Sequence, residues 1–358
     1  MTRLGDDSLS AQVGRMERAR TVRRERPILR ETRITLSHGS GGKASRQLIE
    51  GLLIPALGGD PRLGQDDSAL LTVPPGFGRL AFTTDAYVVS PLFFPGGDIG
   101  ALAVHGTIND LATAGARPIG LSLALIIEEG FDVETLRRIV DSIARAAADA
   151  DVRVVTGDTK VVPRGKADGL FITTSGVGIV PPQISLSAAG AQPGDRVLLS
   201  GPIGDHGIAV MLAREALDIE ADIESDSAPL HRMAAALLEA APSTRCLKDP
   251  TRGGVATSLN EIAQASGVAI AIDEASILVR STVRGACEIL GLDPLHIANE
   301  GKLIAIVPPD ESETALAAMR AAPHGREAAV VGEVLADPNG MVVLRTDAGG
   351  SRVLDMLV

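Results

Sequence analysis

Two adjacent prolines, Pro181 and Pro182, separate two long stretches of similar pattern. Proline cannot continue a helix or a central strand, so the pair predicts a connection between two folded units. Each flanking stretch mixes short apolar runs with segments such as 133–148, in which apolar residues recur at helical spacing. A length of 358 residues suits about two domains of roughly 100–200 residues. We therefore predict two α+β domains, at 34–182 and 190–358.

Helices are predicted where apolar residues recur every three or four positions, and strands where short apolar runs lie between turn residues. The predicted strands are 79–84, 120–127, 152–156, 170–180, 196–200, 268–272, 302–307 and 329–334. The predicted helices are 44–57, 99–114, 133–148, 208–217, 230–240, 255–265 and 311–321. We expect Cys246 and Cys287 to be buried structural thiols in helical or helix-flanking segments.

The composition excludes several classes of protein. The longest apolar run, 119–127, is much shorter than the ~18 residues of a membrane-spanning helix. Two cysteines cannot form a disulfide framework, and no signal-peptide pattern is found, so we expect a cytoplasmic protein with no membrane contact. The net charge of −11 and the 2% aromatic content argue against nucleic-acid binding. The arm 1–33 has nine Arg and five acidic residues, and we expect it to be a flexible extension.

A glycine-rich segment with a lysine precedes the first predicted helix: Gly39-Ser40-Gly41-Gly42-Lys43. Backbone N–H groups, a lysine and a helix N-terminus converge there, which is typical of anion sites. The segment is not a Walker A loop, because Ser37 replaces the first glycine and Ala44 replaces the Ser or Thr. It is not a dinucleotide fingerprint either, because no strand of convincing length precedes it. A tight loop without a ligand is the alternative for this segment alone.

Aspartates recur beside glycines or at predicted strand ends: Asp66, Asp67, Asp85, Asp110 and Asp158. Strand ends can present several carboxylates at one point, and Mg²⁺ prefers oxygen ligands, with phosphates in the remaining positions. A single aspartate of this kind is more often a helix cap or a turn residue. Their number, together with the glycine-rich segment, favours a metal–nucleotide site.

These segments, in this order, resemble the PurM-like ATP-binding superfamily. The resemblance is carried by the glycine-rich segment and by Asp66-Asp67, Phe82-Thr83-Thr84-Asp85, Gly106-Thr107-Ile108-Asn109-Asp110-Leu111 and Gly157-Asp158-Thr159-Lys160. Three further segments are similar to those of the HypE family of nickel–iron hydrogenase maturation factors, the carbamoyl dehydratases: Gly204-Asp205-His206-Gly207, Asp249-Pro250-Thr251-Arg252-Gly253-Gly254 and Ala298-Asn299-Glu300-Gly301-Lys302. The resemblance covers about residues 34–358.

The resemblance implies a two-domain α+β PurM-like fold, with an N-terminal ATP-binding domain and a C-terminal α/β sandwich domain. It implies a homodimer formed by the N-terminal sheets, with ATP and Mg²⁺ near the interface. The family's reaction is the ATP-dependent dehydration of a carboxamide, carried on the sulfur of a C-terminal cysteine, to a thiocyanate that supplies the cyanide ligands of the hydrogenase. The implied partners are the carbamoyltransferase HypF and the HypC–HypD complex.

The resemblance also implies roles for individual residues. The implied metal ligands are Asp66, Asp67, Asp85 and Asp158. The implied nucleotide-binding residues are His38, Gly39, Ser40, Gly41, Gly42, Lys43, Asn109, Asp110, Gly157, Thr159 and Arg252. The implied catalytic residues are Glu300, Asn299 and Lys160, with Glu300 as the base that collects the amide protons. For Arg252, the alternative is a structural role at the start of a helix. For Glu300, the alternative is an acidic residue in a surface loop with no catalytic role.

The sequence departs from the family pattern at its end. Family members end in Pro-Arg-Ile-Cys or close to it, whereas this sequence ends Asp355-Met356-Leu357-Val358. Either a truncated sequence or a true absence of the acceptor would explain the difference, and the intact upstream motifs favour truncation. We expect the printed chain to have the ATP machinery without its carrier cysteine.

Other members of the superfamily are the alternative enzymes: selenophosphate synthetase, thiamine-monophosphate kinase and aminoimidazole ribonucleotide synthetase. Ser40 argues against the first, which normally has Cys or selenocysteine near the lysine. The kinase lacks an equivalent of the Gly-Ser-Gly-Gly-Lys opening. A non-catalytic ATP-binding maturation partner is the alternative from a different class.

Overall fold

The computed structural model describes residues 42–48, 50–51, 69–72, 79–214 and 222–356. The described helices are α1 (Lys43–Leu48), α2 (Ile99–Thr113), α3 (Val133–Asp149), α4 (Asp205–Arg214), α5 (His231–Ala240), α6 (Gly254–Ser266), α7 (Ser281–Leu290) and α8 (Ser312–Ala321). The described strands are β1 (Ala69–Thr72), β2 (Arg79–Tyr87), β3 (Phe93–Phe94), β4 (Gly97–Asp98), β5 (Arg117–Glu128), β6 (Val154–Val162), β7 (Leu170–Val180), β8 (Arg196–Leu199), β9 (Cys246–Lys248), β10 (Ala269–Asp273), β11 (Ile304–Val307), β12 (Ala329–Leu335), β13 (Met341–Arg345) and β14 (Ser351–Leu354).

The first sheet contains strands in the order β1-β2-β7-β5-β6. β5 and β6 are parallel, and the other neighbouring pairs are antiparallel. Helix α2 packs on β2 and β7, and α3 packs against α2, so helices cover one face of the sheet. Residues of β7 alternate between buried and partly exposed, as expected of a sheet covered on one side. The other face carries exposed apolar side chains, among them Phe82 and Ile126.

The second sheet contains strands in the order β14-β13-β10-β12-β8-β11-β9, and only β10 and β13 are parallel neighbours. Both of its faces are covered. Val197 and Leu199 of β8 lie in a core that includes residues of α6, while Leu198 between them lies in a core that includes residues of α5 and α8. Burial on both faces explains why β8 and β11 are continuous apolar runs rather than alternating ones.

One apolar core joins the two halves of the chain. Leu111 and Ala112 of α2 share it with Met233 and Leu237 of α5, and α2 packs against α5. Close-packed side chains resist relative movement, because sliding would open voids that cost dispersion energy. The end of α2 therefore has a defined position relative to the loops of the second half.

Most predicted elements coincide with described ones to within three residues, but the predicted strand 152–156 overlaps only the start of β6 and ends six residues too early. Cys246 and Cys287 are both buried, as expected. Cys287 lies in α7, whereas Cys246, expected in a helical or helix-flanking segment, begins the three-residue strand β9. Helix α7 was not predicted, since Ser281, Thr282 and Gly285 are weak helix formers that dilute its pattern. Most of the predicted helix 44–57 lies outside the described residues. Within the described part of the chain, no helix is long and apolar enough to cross a bilayer.

Candidate active site

The C-terminal half of β2 places Asp85 on the side of the first sheet that faces α2. Thr83, two residues earlier on the same face, donates from its hydroxyl to Asp110 of α2 at 2.7 Å. Asp85 accepts a hydrogen bond from the backbone N–H of Ala86 at 2.9 Å. Strand and helix thus present two carboxylates, Asp85 and Asp110, at one end of the N-terminal half.

Glu300 faces this group from the loop that precedes β11. Its backbone N–H donates to Asp226 Oδ1 at 3.0 Å, and its backbone carbonyl accepts from Asn109 Nδ2 at 3.1 Å. Burial, and then the charges of Asp249, Asp226 and Asp85, raise the pKa of Glu300 well above that of an ordinary glutamate. The Arg252 guanidinium partly offsets this rise. Glu300 is therefore a carboxyl group poised to take up a proton where the two halves of the chain meet.

Two asparagines hold the backbone around Glu300. Asn109, almost fully buried, donates to the carbonyls of Ala228 and Glu300 and accepts from the N–H of Leu230 at 2.8 Å. Asn299, fully buried, donates to the carbonyls of Pro250 and Ile297 and accepts from the N–H of Gly204 at 2.7 Å. Both side chains use their amide hydrogens and their oxygen on backbone groups, so they fix loops relative to one another.

The loop 222–230 was not singled out from the sequence, yet it lies directly against Glu300. His206 Nδ1 lies 2.8 Å from Ser225 Oγ, and His105 Nδ1 lies 3.0 Å from Ser227 Oγ. Burial lowers the pKa of each histidine to about 4, so both are neutral at pH 7 and remain hydrogen-bond partners rather than charges. His206, part of a motif quoted above, thus anchors this loop.

Arg252 is exposed in the turn that precedes α6. The turn needs glycine at the next two positions, since Gly253 and Gly254 have φ of +74° and +61°. A Cβ on Gly254 would also lie 2.6 Å from the carbonyl oxygens of Leu295 and Ile297. The close approach brings the Arg252 turn beside the Glu300 loop, which accounts for the effect of Arg252 on the Glu300 pKa.

The described end of the glycine-rich segment contacts the C-terminal end of the chain. Gly42 is buried, and Lys43 Nζ lies 3.2 Å from Asp355 Oδ2, with both side chains partly exposed. Arg46 donates to Gln264 of α6, which places α1 against the C-terminal half. The predicted residues His38, Gly39, Ser40, Gly41, Asp66 and Asp67 lie outside the described residues.

A second group of predicted residues, Gly157, Asp158, Thr159 and Lys160, lies on the edge strand β6 and is exposed. Through β7 and β5, the register aligns Asp85 with Gly157, whereas Asp158 aligns with Ala86. Neighbouring residues of a strand point to opposite faces. Asp85 and Asp158 therefore face opposite sides of the sheet, and three strand spacings put their strands about 14 Å apart. One chain cannot bring these two carboxylates to the same ion.

The donor atoms present are of the type that Mg²⁺ takes, since they are carboxylate oxygens. No group of three or more His, Cys, Asp or Glu side chains converges in a metal-binding arrangement among the residues that the structure describes. Two of the predicted ligands, Asp66 and Asp67, lie outside that part of the chain.

Sequence reasoning missed three charged residues near Glu300. Asp249 and Lys302 are buried, the side chain of Asp226 is 4% exposed, and Lys302 Nζ lies 2.9 Å from Asp226 Oδ2. Asp249 and Lys302 belong to motifs quoted above, so their neighbourhood in the sequence was a usable signal. Asp226 lies in an acidic stretch without a motif, and only the tertiary structure brings it to Glu300.

Comparison with known proteins places this geometry in a family. The N-terminal domain of the AIR synthase related protein family matches residues 65–180, and its C-terminal domain matches 192–345. A carbamoyl dehydratase HypE from Azotobacter vinelandii is 57% identical over 329 residues, which cover 92% of this chain and 96% of the relative. The HypE of Escherichia coli strain K12 is 46% identical over 305 residues, which cover 84% of this chain and 90% of the relative.

Solved structures agree with this assignment. A crystal structure of a HypE–HypF complex contains a chain with a TM-score of 0.82 and 47% identity, covering 87% of this chain and 99% of that one. A HypE in complex with ATP has a TM-score of 0.77 and 48% identity, and the match covers 91% of this chain and 98% of that one. A ThiL structure complexed with AMPPCP and TMP has a TM-score of 0.68 at 19% identity, which shows a shared fold alone.

Proposed function

The chain belongs to the HypE family of carbamoyl dehydratases, built from the two AIR synthase related domains, and from this membership we propose that it dehydrates an S-carboxamide with ATP to form a thiocyanate for hydrogenase maturation. The observation that carries the proposal is Glu300, held at its N–H by Asp226 and at its carbonyl by Asn109 of the other half of the chain. The high identity to HypE relatives favours this function over selenophosphate synthetase and thiamine-monophosphate kinase.

The chemistry requires an activator, because a carboxamide does not lose water readily in water. The carboxamide oxygen attacks the γ-phosphorus of ATP, ADP leaves, and an N–H proton is lost. The second N–H proton then leaves as the C–O bond breaks, which releases phosphate and leaves the nitrile of a thiocyanate. ATP thereby converts a poor leaving group into phosphate, at the cost of one ATP for each dehydration.

In this proposal Glu300 is the base that takes the amide protons. A raised pKa suits this task, since a base is most effective when its pKa is near the working pH. Asn109 and Asn299, expected from the resemblance to bind nucleotide and to act in catalysis, serve here as positioning residues for the loop that carries Glu300. Their amide groups are already committed to backbone partners.

In this proposal, Arg252, Lys43 and Mg²⁺ neutralise the negative charge of the triphosphate. Arg252 is exposed beside Glu300, and we assign it to phosphate. Lys43 is paired with Asp355 on a partly exposed surface, where an ion pair contributes about 0–1 kcal/mol, so exchange of Asp355 for a phosphate costs little. Mg²⁺ would reduce the repulsion between the triphosphate and the carboxylates, with Asp85 as a proposed ligand. Asp66 and Asp67, the other proposed ligands of this group, lie outside the described residues.

We propose that the protein forms a homodimer through the open face of the first sheet. That face carries exposed Phe82, Ile126 and Val155, and the edge strand β6 adds Asp158 and Lys160. Asp158 and Lys160 lie on this open face, whereas Asp85 lies on the opposite one, so a second copy packed here would meet Asp158 and Lys160 directly. Sedimentation at micromolar concentration should show a dimer, and a monomer there would contradict the interface and the role of Lys160.

A related HypE chain forms a crystallised complex with HypF, and we propose the corresponding carbamoyltransferase as the donor partner of this chain. The HypC–HypD complex is the proposed acceptor of the cyanide. We also propose that the protein works in the cytoplasm.

The direct test supplies the substrate in trans to the full 358-residue chain. S-carbamoyl cysteine methyl ester with ATP and Mg²⁺ should yield a product lighter by about 18 Da, with one ADP and one phosphate for each product. Mass spectrometry and a phosphate assay measure these, with EDTA and thiamine monophosphate arms as controls. ADP release that does not depend on the carboxamide, with no loss of water, would contradict dehydration and favour a protein that only binds or hydrolyses ATP.

A further inference from the structure

Asp226 and Lys302 form a buried ion pair immediately beside Glu300. Asp226 uses one carboxylate oxygen, Oδ1, to accept the backbone N–H of Glu300 at 3.0 Å. The other oxygen, Oδ2, lies 2.9 Å from Lys302 Nζ, and the two side chains are 4% and 8% exposed. We infer that Asp226, held by Lys302, is a positioning residue that sets where the Glu300 carboxyl group lies, an inference that rests on the proposed function.

The loop that carries Asp226 has little freedom to move. Its neighbour Ser225 donates its N–H to the carbonyl of Pro95 at 2.8 Å, which ties the loop to the N-terminal half. His206 and His105 hold the hydroxyls on either side of Asp226, those of Ser225 and Ser227. Because Pro95, His206 and His105 each hold the loop, the Asp226 carboxylate is a rigid acceptor for the Glu300 N–H.

Asn109 completes the support from the other side. Its amide nitrogen donates to the carbonyl of Ala228, in the Asp226 loop, and to the carbonyl of Glu300 itself. Glu300 is thus held at its N–H by Asp226 and at its carbonyl by Asn109. The two loops also touch directly, since a Cβ on Gly301 would overlap the carbonyl oxygen of Asp226.

Stability alone does not account for the pair. Burying two charges costs desolvation energy that their attraction often fails to recover, and apolar residues of similar volume are commonly as stable. Positioning the Glu300 carboxyl group is a better reason for the buried pair, because a general base must come within about 2.6–3.2 Å, heavy atom to heavy atom, of the group whose proton it takes. A displacement of about 1 Å can lower a rate about 100-fold.

The test compares two double variants that differ only in the hydrogen-bond acceptor, D226N/K302M and D226A/K302M. Neither leaves an unpaired charge in the buried site, and the Asn side chain keeps an oxygen for the Glu300 N–H. We expect D226N/K302M to retain kcat within about threefold and D226A/K302M to lose about 30-fold, with the KM for ATP within about twofold in both. Dehydration of S-carbamoyl cysteine methyl ester by the full chain supplies kcat, and thermal unfolding reports the folded fraction.

Equal kcat values for the two variants, or a loss that follows the folded fraction or the KM for ATP, would overturn the inference. Should D226A/K302M fail to fold, D226S/K302M provides the same comparison with a hydroxyl too short to reach the Glu300 N–H. E300Q is measured in parallel. An inactive E300Q with two equally active double variants contradicts the positioning role alone, whereas an active E300Q contradicts the proposed base and the positioning role together.

Discussion

Replacing Glu300 by Gln should lower the rate of dehydration about 10²–10⁴-fold, the contribution expected of a general base. Glutamine has nearly the same volume and keeps the backbone bonds to Asp226 and Asn109, but it cannot accept a proton at this position. ATP affinity should change little, because the substitution removes one negative charge and no phosphate contact. Single-turnover loss of water from the carboxamide, measured by mass spectrometry, gives the rate.

The pH dependence of the unchanged protein provides a second readout of Glu300. Its pKa is raised, so the protonated and inactive form should persist above the pH at which an ordinary glutamate ionises. The rate should therefore increase with pH through that raised pKa, and this acid limb should be absent from the residual rate of E300Q. E313Q is the matched control, because Glu313 is exposed in the first turn of α8. Full activity in E300Q would exclude Glu300 as the base.

The polypeptide of the printed sequence should not itself become carbamoylated, whereas the same polypeptide with an added tail ending Pro-Arg-Ile-Cys should. A thiolate is needed to hold the carbamoyl carbon, and it must reach both a donor enzyme and the ATP cleft. Cys246 and Cys287 are each 2% exposed, and burial raises the pKa of the Cys287 thiol, which disfavours its thiolate. Neither can move between two sites as a terminal residue can.

Mass spectrometry after incubation with the carbamoyltransferase, carbamoyl phosphate and ATP measures this result. The extended chain should gain about 43 Da and then lose about 18 Da, as acyl transfer to sulfur followed by dehydration requires. A tail ending Pro-Arg-Ile-Ser is the matched control and should gain nothing. An adduct on Cys246 or Cys287 of the printed chain would contradict the requirement for a terminal carrier.

The helices, strands and motifs could be predicted from the sequence because they depend on residues that are close together in the chain. The apolar stripe of α3 and the apolar runs of β7 and β8 depend on neighbours a few residues away, and they were predicted close to their observed bounds. The glycines at 253 and 254 are needed by a local turn, so the Arg252 motif was visible as well. Short elements such as β9 lacked enough residues to show a pattern.

The sequence by itself determined the fold class and the family, and it indicated Glu300 as a candidate base, because motifs and periodicity are properties of consecutive residues. Only the tertiary structure decided which of those residues meet. It separated Asp158 from Asp85 by strand register and sheet face, and it brought Asp226 to the N–H of Glu300 across 74 positions in the sequence. Contacts of that separation depend on strand order and on the packing of α2 against α5. No local pattern encodes such packing, since it is the sum of many weak contacts between distant segments.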